Sequence, residues 1–213
     1  MNNKYSTNLQ SFLIFILIFI SLFINQYYAM KGAFPIESFA HYDISLRILS
    51  GDVPFRDYWA VSGIFIDYLQ SLFFLIFGDS FQIYVLHASV FNVTVTLISF
   101  IFFKELKLGN FTSFFYAVCF SILAYPTTGT LYVDHHASLI CFISSVLLFK
   151  GIKSNDRVYI FIIPILVGIA FFTKPAPTIY ILIFYILILS IYIFFNKKFY
   201  IFNILIISSC LFI

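Results

Sequence analysis

The chain has 213 residues, of which 62% are hydrophobic and only 10% charged, with a net charge of +3. Its mean hydropathy is +1.02. Soluble domains carry roughly 45–50% apolar and about 25% charged residues. A water-soluble globule, a disordered chain and a nucleic-acid binder are therefore excluded, and nucleic acid is not an expected partner. Cys119, Cys141 and Cys210 all lie in apolar runs without metal-type spacing, which argues against a disulfide framework and a zinc site.

A helix that crosses a bilayer needs about 20 apolar residues. Runs at 10–29, 81–103, 111–128, 136–149, 158–173, 178–195 and 199–213 predict an all-α, polytopic transmembrane helix bundle of about seven spans, with 1–213 a single transmembrane domain. No alternating strands of ten residues occur, and backbone in lipid must pair internally, so helices are the expected form. The first run reads as an anchor rather than a signal peptide. Its apolar stretch is too long for a typical h-region, and only Lys4 precedes it.

The loop over about 30–80 comes next and is long enough to have structure of its own. Residues 35–59 read PIESFAHYDISLRILSGDVPFRDYW. Pro35 with Glu37 suits a helix start. Phe39, Tyr42, Leu46 and Leu49 form one face, while Glu37, His41 and Ser45 share another. Gly51 and Pro54 end this helix. In 60–77 the residues Gly63, Asp67, Gln70 and Ser71 recur at helical spacing, a polar stripe that suits a helix at the interface or dipping in re-entrantly. The loop is thus expected to hold two amphipathic interfacial helices, 36–50 and 60–77, joined by a turn that Tyr58 and Trp59 anchor at headgroup level.

Further along, Ser89, Asn92, Thr96 and Ser99 recur every three or four residues, as interhelical hydrogen bonding requires. The last run, 199–213, closes without a polar flank, which predicts a truncated span and a fragment of a longer protein.

With the N-terminus cytoplasmic and 60–77 not spanning, eight basic residues fall inside: Lys4, Lys104, Lys107, Lys150, Lys153, Arg157, Lys197 and Lys198. Four fall outside: Lys31, Arg47, Arg56 and Lys174. This satisfies the positive-inside rule. Seven of the nine acidic residues then gather on the outer face, leaving only Glu105 and Asp156 inside.

Several stretches together resemble the GT-C superfamily of polytopic glycosyltransferases, in the branch of protein O-mannosyltransferases and the lipid A aminoarabinose transferase. They are Glu37 to Trp59 with GDVPFRDYW, the FGDS of Phe77–Ser80, Asp134-His135-His136, and Thr173-Lys174. The resemblance implies a membrane glycosyltransferase, multi-pass and in a bacterial plasma membrane. It would move a sugar from a polyprenyl-phosphate-linked donor to a glycan, lipid or protein acceptor on the outer face. An acidic residue of the first outer loop would be the general base. Relatives often have Asp-Glu where this chain has Glu37-Ser38, so Asp43 stands beside Glu37 as a candidate.

Each candidate also has a structural reading. Glu37 sits where a helix dipole favours an acid, and Asp43 lies four residues before Arg47, a helical ion-pair spacing. Arg56 and Asp57 suit donor and acceptor positioning or a local ion pair. Asp134, His135 and His136 suit hydrogen bonding to a lipid phosphate or sugar. Adjacent histidines point about 100° apart on a helix and make poor joint metal ligands, so no metal or other cofactor is assigned. Lys174, at an outer span end before Pro175 and Pro177, suits a donor phosphate or snorkelling to headgroups. No Gly-rich phosphate loop is present for a nucleotide sugar. The competing functions are a non-catalytic membrane scaffold or inactive homologue, and a transporter or flippase.

Overall fold

The computed structural model describes residues 2–32, 35–60, 62–125 and 128–210, with the side chains of 2–7 and 35–38 outside the description. Among the described residues the chain is helical, without strands: α1 (Asn2–Ala29), α2 (Pro35–Leu49), α3 (Phe65–Phe77), α4 (Phe81–Glu105), α5 (Asn110–Ala124), α6 (Val133–Ser154), α7 (Arg157–Thr173), α8 (Pro175–Asn196) and α9 (Tyr200–Cys210). Each expected apolar run contains a helix, though residues 126–127 of the 111–128 run and 211–213 of the 199–213 run lie outside the described residues. Local chemistry sets several ends. Ser80 caps α4 by accepting from Ile83 N, and Asp156 caps α7 by accepting from Val158 N. Pro175 occupies the first position of α8, where its missing N–H costs nothing.

Four helices are long and apolar enough to cross a membrane: Asn8–Ala29 within α1, then α4, α6 and α8. The helices α3, α5, α7 and α9 are apolar but shorter. At 1.5 Å per residue, the 13 residues of α3 reach about 20 Å, well short of a hydrocarbon core of about 30 Å. The expected 111–128 run ends early among the described residues: α5 stops at Ala124, with Tyr125 as its C-cap. The expected 136–149 run gains length at both ends, as its His-rich flank joins α6.

The chain divides into two compact units, residues 1–59 with 67–132 and residues 60–66 with 133–213. In the first, α1, α4 and α5 pack mutually around Leu17, Phe100 and Ala117. In the second, α7 packs on α6, α8 and α9 around Leu148, Ile160, Ile163, Val167, Tyr185, Leu189 and Ile201.

Polarity runs inside-out. On α4, Ser89, Asn92, Thr96 and Ser99 are buried, while on α1 Phe12, Phe15, Phe19 and Phe23 are exposed and Ser21 and Asn25 are buried. Asn25 Nδ2 donates to Ser89 Oγ at 2.9 Å, and Asn92 Nδ2 reaches the carbonyls of Ser21 and Ser121, both at 3.1 Å. Ser89 and Asn92 thus make the interhelical bonds expected of the α4 polar spacing, while Ser99 bonds to Thr96 O on its own helix. In water such a fold would face large apolar surfaces outward at great cost; in lipid the same arrangement is the stable one. The protein is a helical membrane protein.

The same inversion decides how α2 and α3 sit. On α2 the buried residues are His41, Ile44 and Ser45, while Phe39 and Leu49 of the expected apolar face are exposed. On α3 the stripe of Asp67, Gln70 and Ser71 is buried, and Leu72, Leu75, Ile76 and Phe77 are exposed. The stripe therefore turns inward rather than to headgroups. The expected helix over 60–77 begins only at Phe65, and Gly63 lies before it in close approach to the backbone at the end of α7.

Candidate functional site

In the first unit, the end of α2 and the start of α3 frame a compact turn. Gly51 closes α2 at φ +95, and Asp52 N donates back to Arg47 O at 3.0 Å, the left-handed cap for which glycine is suited. Residues 53–58 then fold back: Phe55 N donates to Tyr58 O at 2.8 Å, and Asp57 N to Val53 O at 3.0 Å. The Asp57 carboxylate accepts from Val53 N at 2.7 Å and from the Arg56 guanidinium at 2.7 Å. Those bonds, Arg56 first, hold the Asp57 carboxyl down to about 2. Phe55 adopts φ 65 and meets Trp59 edge-on at 5.9 Å, both rings exposed.

Beneath this turn lies the pair that joins α2 to α3. His41 Nδ1 and Asp67 Oδ1 stand 2.7 Å apart. Asp67 is 1% exposed and His41 5%. Ser45 Oγ bonds to the carbonyl of His41 at 2.6 Å, so it stiffens α2 without touching the pair. Tyr58 lies near enough for the Asp67 charge to act on its phenol, which burial first and that charge second push up to about 12. Its hydroxyl is enclosed and has no hydrogen-bond partner among the described residues. The Arg47 guanidinium lies over the Tyr58 ring at 5.7 Å.

Among the sequence candidates in this unit, Asp43 forms an exposed helical ion pair with Arg47 at 3.0 Å. Arg56 and Asp57 pair with one another at 2.7 Å. The side chain of Glu37 lies outside the described residues.

In the second unit, Asp134 in the first turn of α6 and Lys174 between α7 and α8 form an ion pair at 3.4 Å, both partly exposed. These two candidates, 40 residues apart in the chain, are brought together. His136 is buried beside them in sequence and His135 is half-buried, as adjacent positions on a helix require. Gly63 seats against the end of α7: a Cβ there would lie 1.8 Å from Phe172 O and 2.7 Å from Thr173 O. An apolar cavity of about 620 Å³ opens among α7, α8 and α9, lined by residues such as Val167, Phe171, Leu182, Tyr185 and Phe202. It reaches Thr178, whose hydroxyl donates to Lys174 O at 3.0 Å.

No group of three or more His, Cys, Asp or Glu able to hold a metal occurs among the described residues. The His41–Asp67 pair escaped the sequence reading as a pair. Both residues stood out, one on a polar face and one on a polar stripe, but 26 positions of chain separate them, and no spacing rule joins two helices across a turn.

Comparison with protein-family models, with curated proteins and with solved structures returned no match.

Proposed function

We propose that the protein is a membrane glycosyltransferase that moves a sugar from a polyprenyl-phosphate-linked donor to an acceptor on the outer face, as a bundle of about seven spans. The observation that supports it most is chemical. Thr178 lines an apolar cavity of about 620 Å³ and donates to the backbone carbonyl of Lys174, a cation one helical turn earlier in the chain. That arrangement suits an amphiphile with a phosphate head and a hydrocarbon chain. Lys174 meets phosphate as a point charge, and the cavity offers the chain a dry wall. Asp134 holds the ammonium in place until the phosphate competes for it. In the first unit the proposed acceptor contacts are Arg56 and Asp57, with Glu37 or Asp43 as the carboxylate base. His135 and His136 are the proposed hydrogen-bond donors to the sugar or phosphate. Membrane lipids fill the same cavity when no donor is bound.

Membranes containing the protein are to be assayed with a panel of radiolabelled polyprenyl-phosphate sugars. Lys174→Gln is expected to raise the donor KM about tenfold or more with kcat retained. Because the ion pair is partly exposed, its loss costs at most about 1 kcal/mol of stability, so a lowered thermal midpoint would not account for that change. Transfer abolished by Glu37→Gln or Asp43→Asn at unchanged protein level would identify the base. No transfer from any donor, with all three variants supporting growth like wild type, would replace this reading with the scaffold.

A further inference from the structure

We infer that the His41–Asp67 pair is the proton-accepting unit of the transfer reaction proposed above, with His41 taking the acceptor's proton and Asp67 holding the imidazole. The inference rests on that reading of the reaction and replaces its base, since it assigns the proton to His41 rather than to Glu37 or Asp43.

The pair is not a local accident of one helix. It joins α2 to α3 at 2.7 Å, and both partners are withdrawn from water. Holding two helices together does not call for it. Desolvating a carboxylate and an imidazole costs as much as their contact returns, and an apolar pair of similar volume would do as well. What such a pair does supply is orientation. With the shared proton on Nδ1, the imidazole's Nε2 is a bare acceptor, and the carboxylate behind it stabilises the imidazolium once a proton arrives. The exposures have the order this role needs. Asp67 is 1% exposed and His41 5%, so the imidazole is the less enclosed of the two residues. The unpartnered hydroxyl of Tyr58 adds a donor and an acceptor beside the pair for a sugar or alcohol hydroxyl.

In the step itself, the acceptor oxygen bonds to the anomeric carbon while the bond from that carbon to the phosphate oxygen breaks. The electron pair of the broken bond leaves with the polyprenyl phosphate. The hydroxyl proton passes to His41 Nε2, and the positive charge formed there is matched by Asp67. Burial raises the Asp67 carboxyl and the His41 hydrogen bond lowers it, so a positive imidazole favours the ionised acid. Of the other titratable groups, Tyr58 in the turn and Tyr84 on α4 feel the Asp67 charge, and Arg47, Asp52 and Tyr68 act in turn on Tyr58. Glu37 lies one turn before His41 in the chain.

The deciding variant is His41→Asn, whose amide nitrogen takes the place of Nδ1 and keeps the bond to Asp67 while Nε2 is lost. With wild-type membranes and the donor panel above, His41→Asn is expected to lower kcat about 100-fold or more with donor KM unchanged. It should also abolish the acid limb of the kcat–pH profile. Asp67→Asn is expected to lower kcat and move that limb, and Asp67→Glu to restore most of both. His41→Asn with wild-type kcat and pH profile, while wild type transfers sugar, would overturn this inference alone. Should His41→Asn fail to fold, Asp67→Asn decides by the same two readouts per folded molecule, an unmoved limb overturning the inference. Wild type that transfers no sugar from any donor would overturn it together with the reading on which it rests.

Discussion

Gly63→Ala tests how closely Gly63 seats on α7. The new Cβ would lie 1.8 Å from Phe172 O, 2.4 Å from Phe172 C and 2.7 Å from Thr173 O. Ordinary contact begins near 3.4 Å, so the two segments must separate by about 1.6 Å. All three obstructing atoms are backbone, and no side-chain rotation relieves them. Overpacking of this kind costs typically 1–3 kcal/mol, and a backbone collision belongs at the upper end, about 3 kcal/mol. For a chain of this length that corresponds to a fall of roughly 6–12 °C in thermal midpoint. Detergent-solubilised protein, heated and then passed over a sizing column, reports that midpoint. Gly32→Ala is the control, because nothing lies within 4 Å of its added Cβ. A Gly63→Ala midpoint within about 2 °C of both wild type and the control would refute the close approach. Since Phe172 and Thr173 lead directly into Lys174, the same variant is also expected to weaken donor binding.

Two further outcomes follow from the first unit. Trp59 is the single tryptophan and sits against Phe55 in the turn that Asp57 closes. The folded Asp57 carboxyl is lowered to about 2 from an ordinary 3.8. The contribution of the turn's bonds is therefore complete above about pH 4 and is lost as pH falls through 2. Trp59 emission should be flat from pH 7 to 4 and change between 4 and 2. Asp57→Asn should remove the transition, and an unaltered transition in that variant would assign it elsewhere. In the α1–α4–α5 packing, Asn92→Ala removes bonds to two other helices and is expected to cost about 1–2 kcal/mol. Ser99→Ala removes only a bond to Thr96 O on its own helix and should be near neutral. Equal midpoint losses for the two would contradict this accounting.

The helices and their solvent were written in the chain itself. Apolar runs too long for strands, with hardly a charge among them, can satisfy their backbone in lipid only by coiling. The polar residues of α4 were legible in part: Ser89 and Asn92 bond to neighbouring helices as their spacing suggests, whereas Ser99 bonds within α4. Helix length was less legible, since the apolar run continues past the point where the helix stops, as at Ala124 of α5.

Tertiary structure decided which way each face points and what it meets. Periodicity along α2 and α3 reveals that a polar stripe exists, yet the same stripe suits water on one side or a protein neighbour on the other. Once lipid is the solvent the sign inverts, and Asp67, Gln70, His41 and Ser45 turn inward. The meetings of His41 with Asp67 and of Lys174 with Asp134 arise from the packing of separate helices, as does the seat of Gly63 on Phe172. Local sequence sets each helix's own geometry, but the distance between atoms on two helices is set by how they pack, and no spacing along the chain records it.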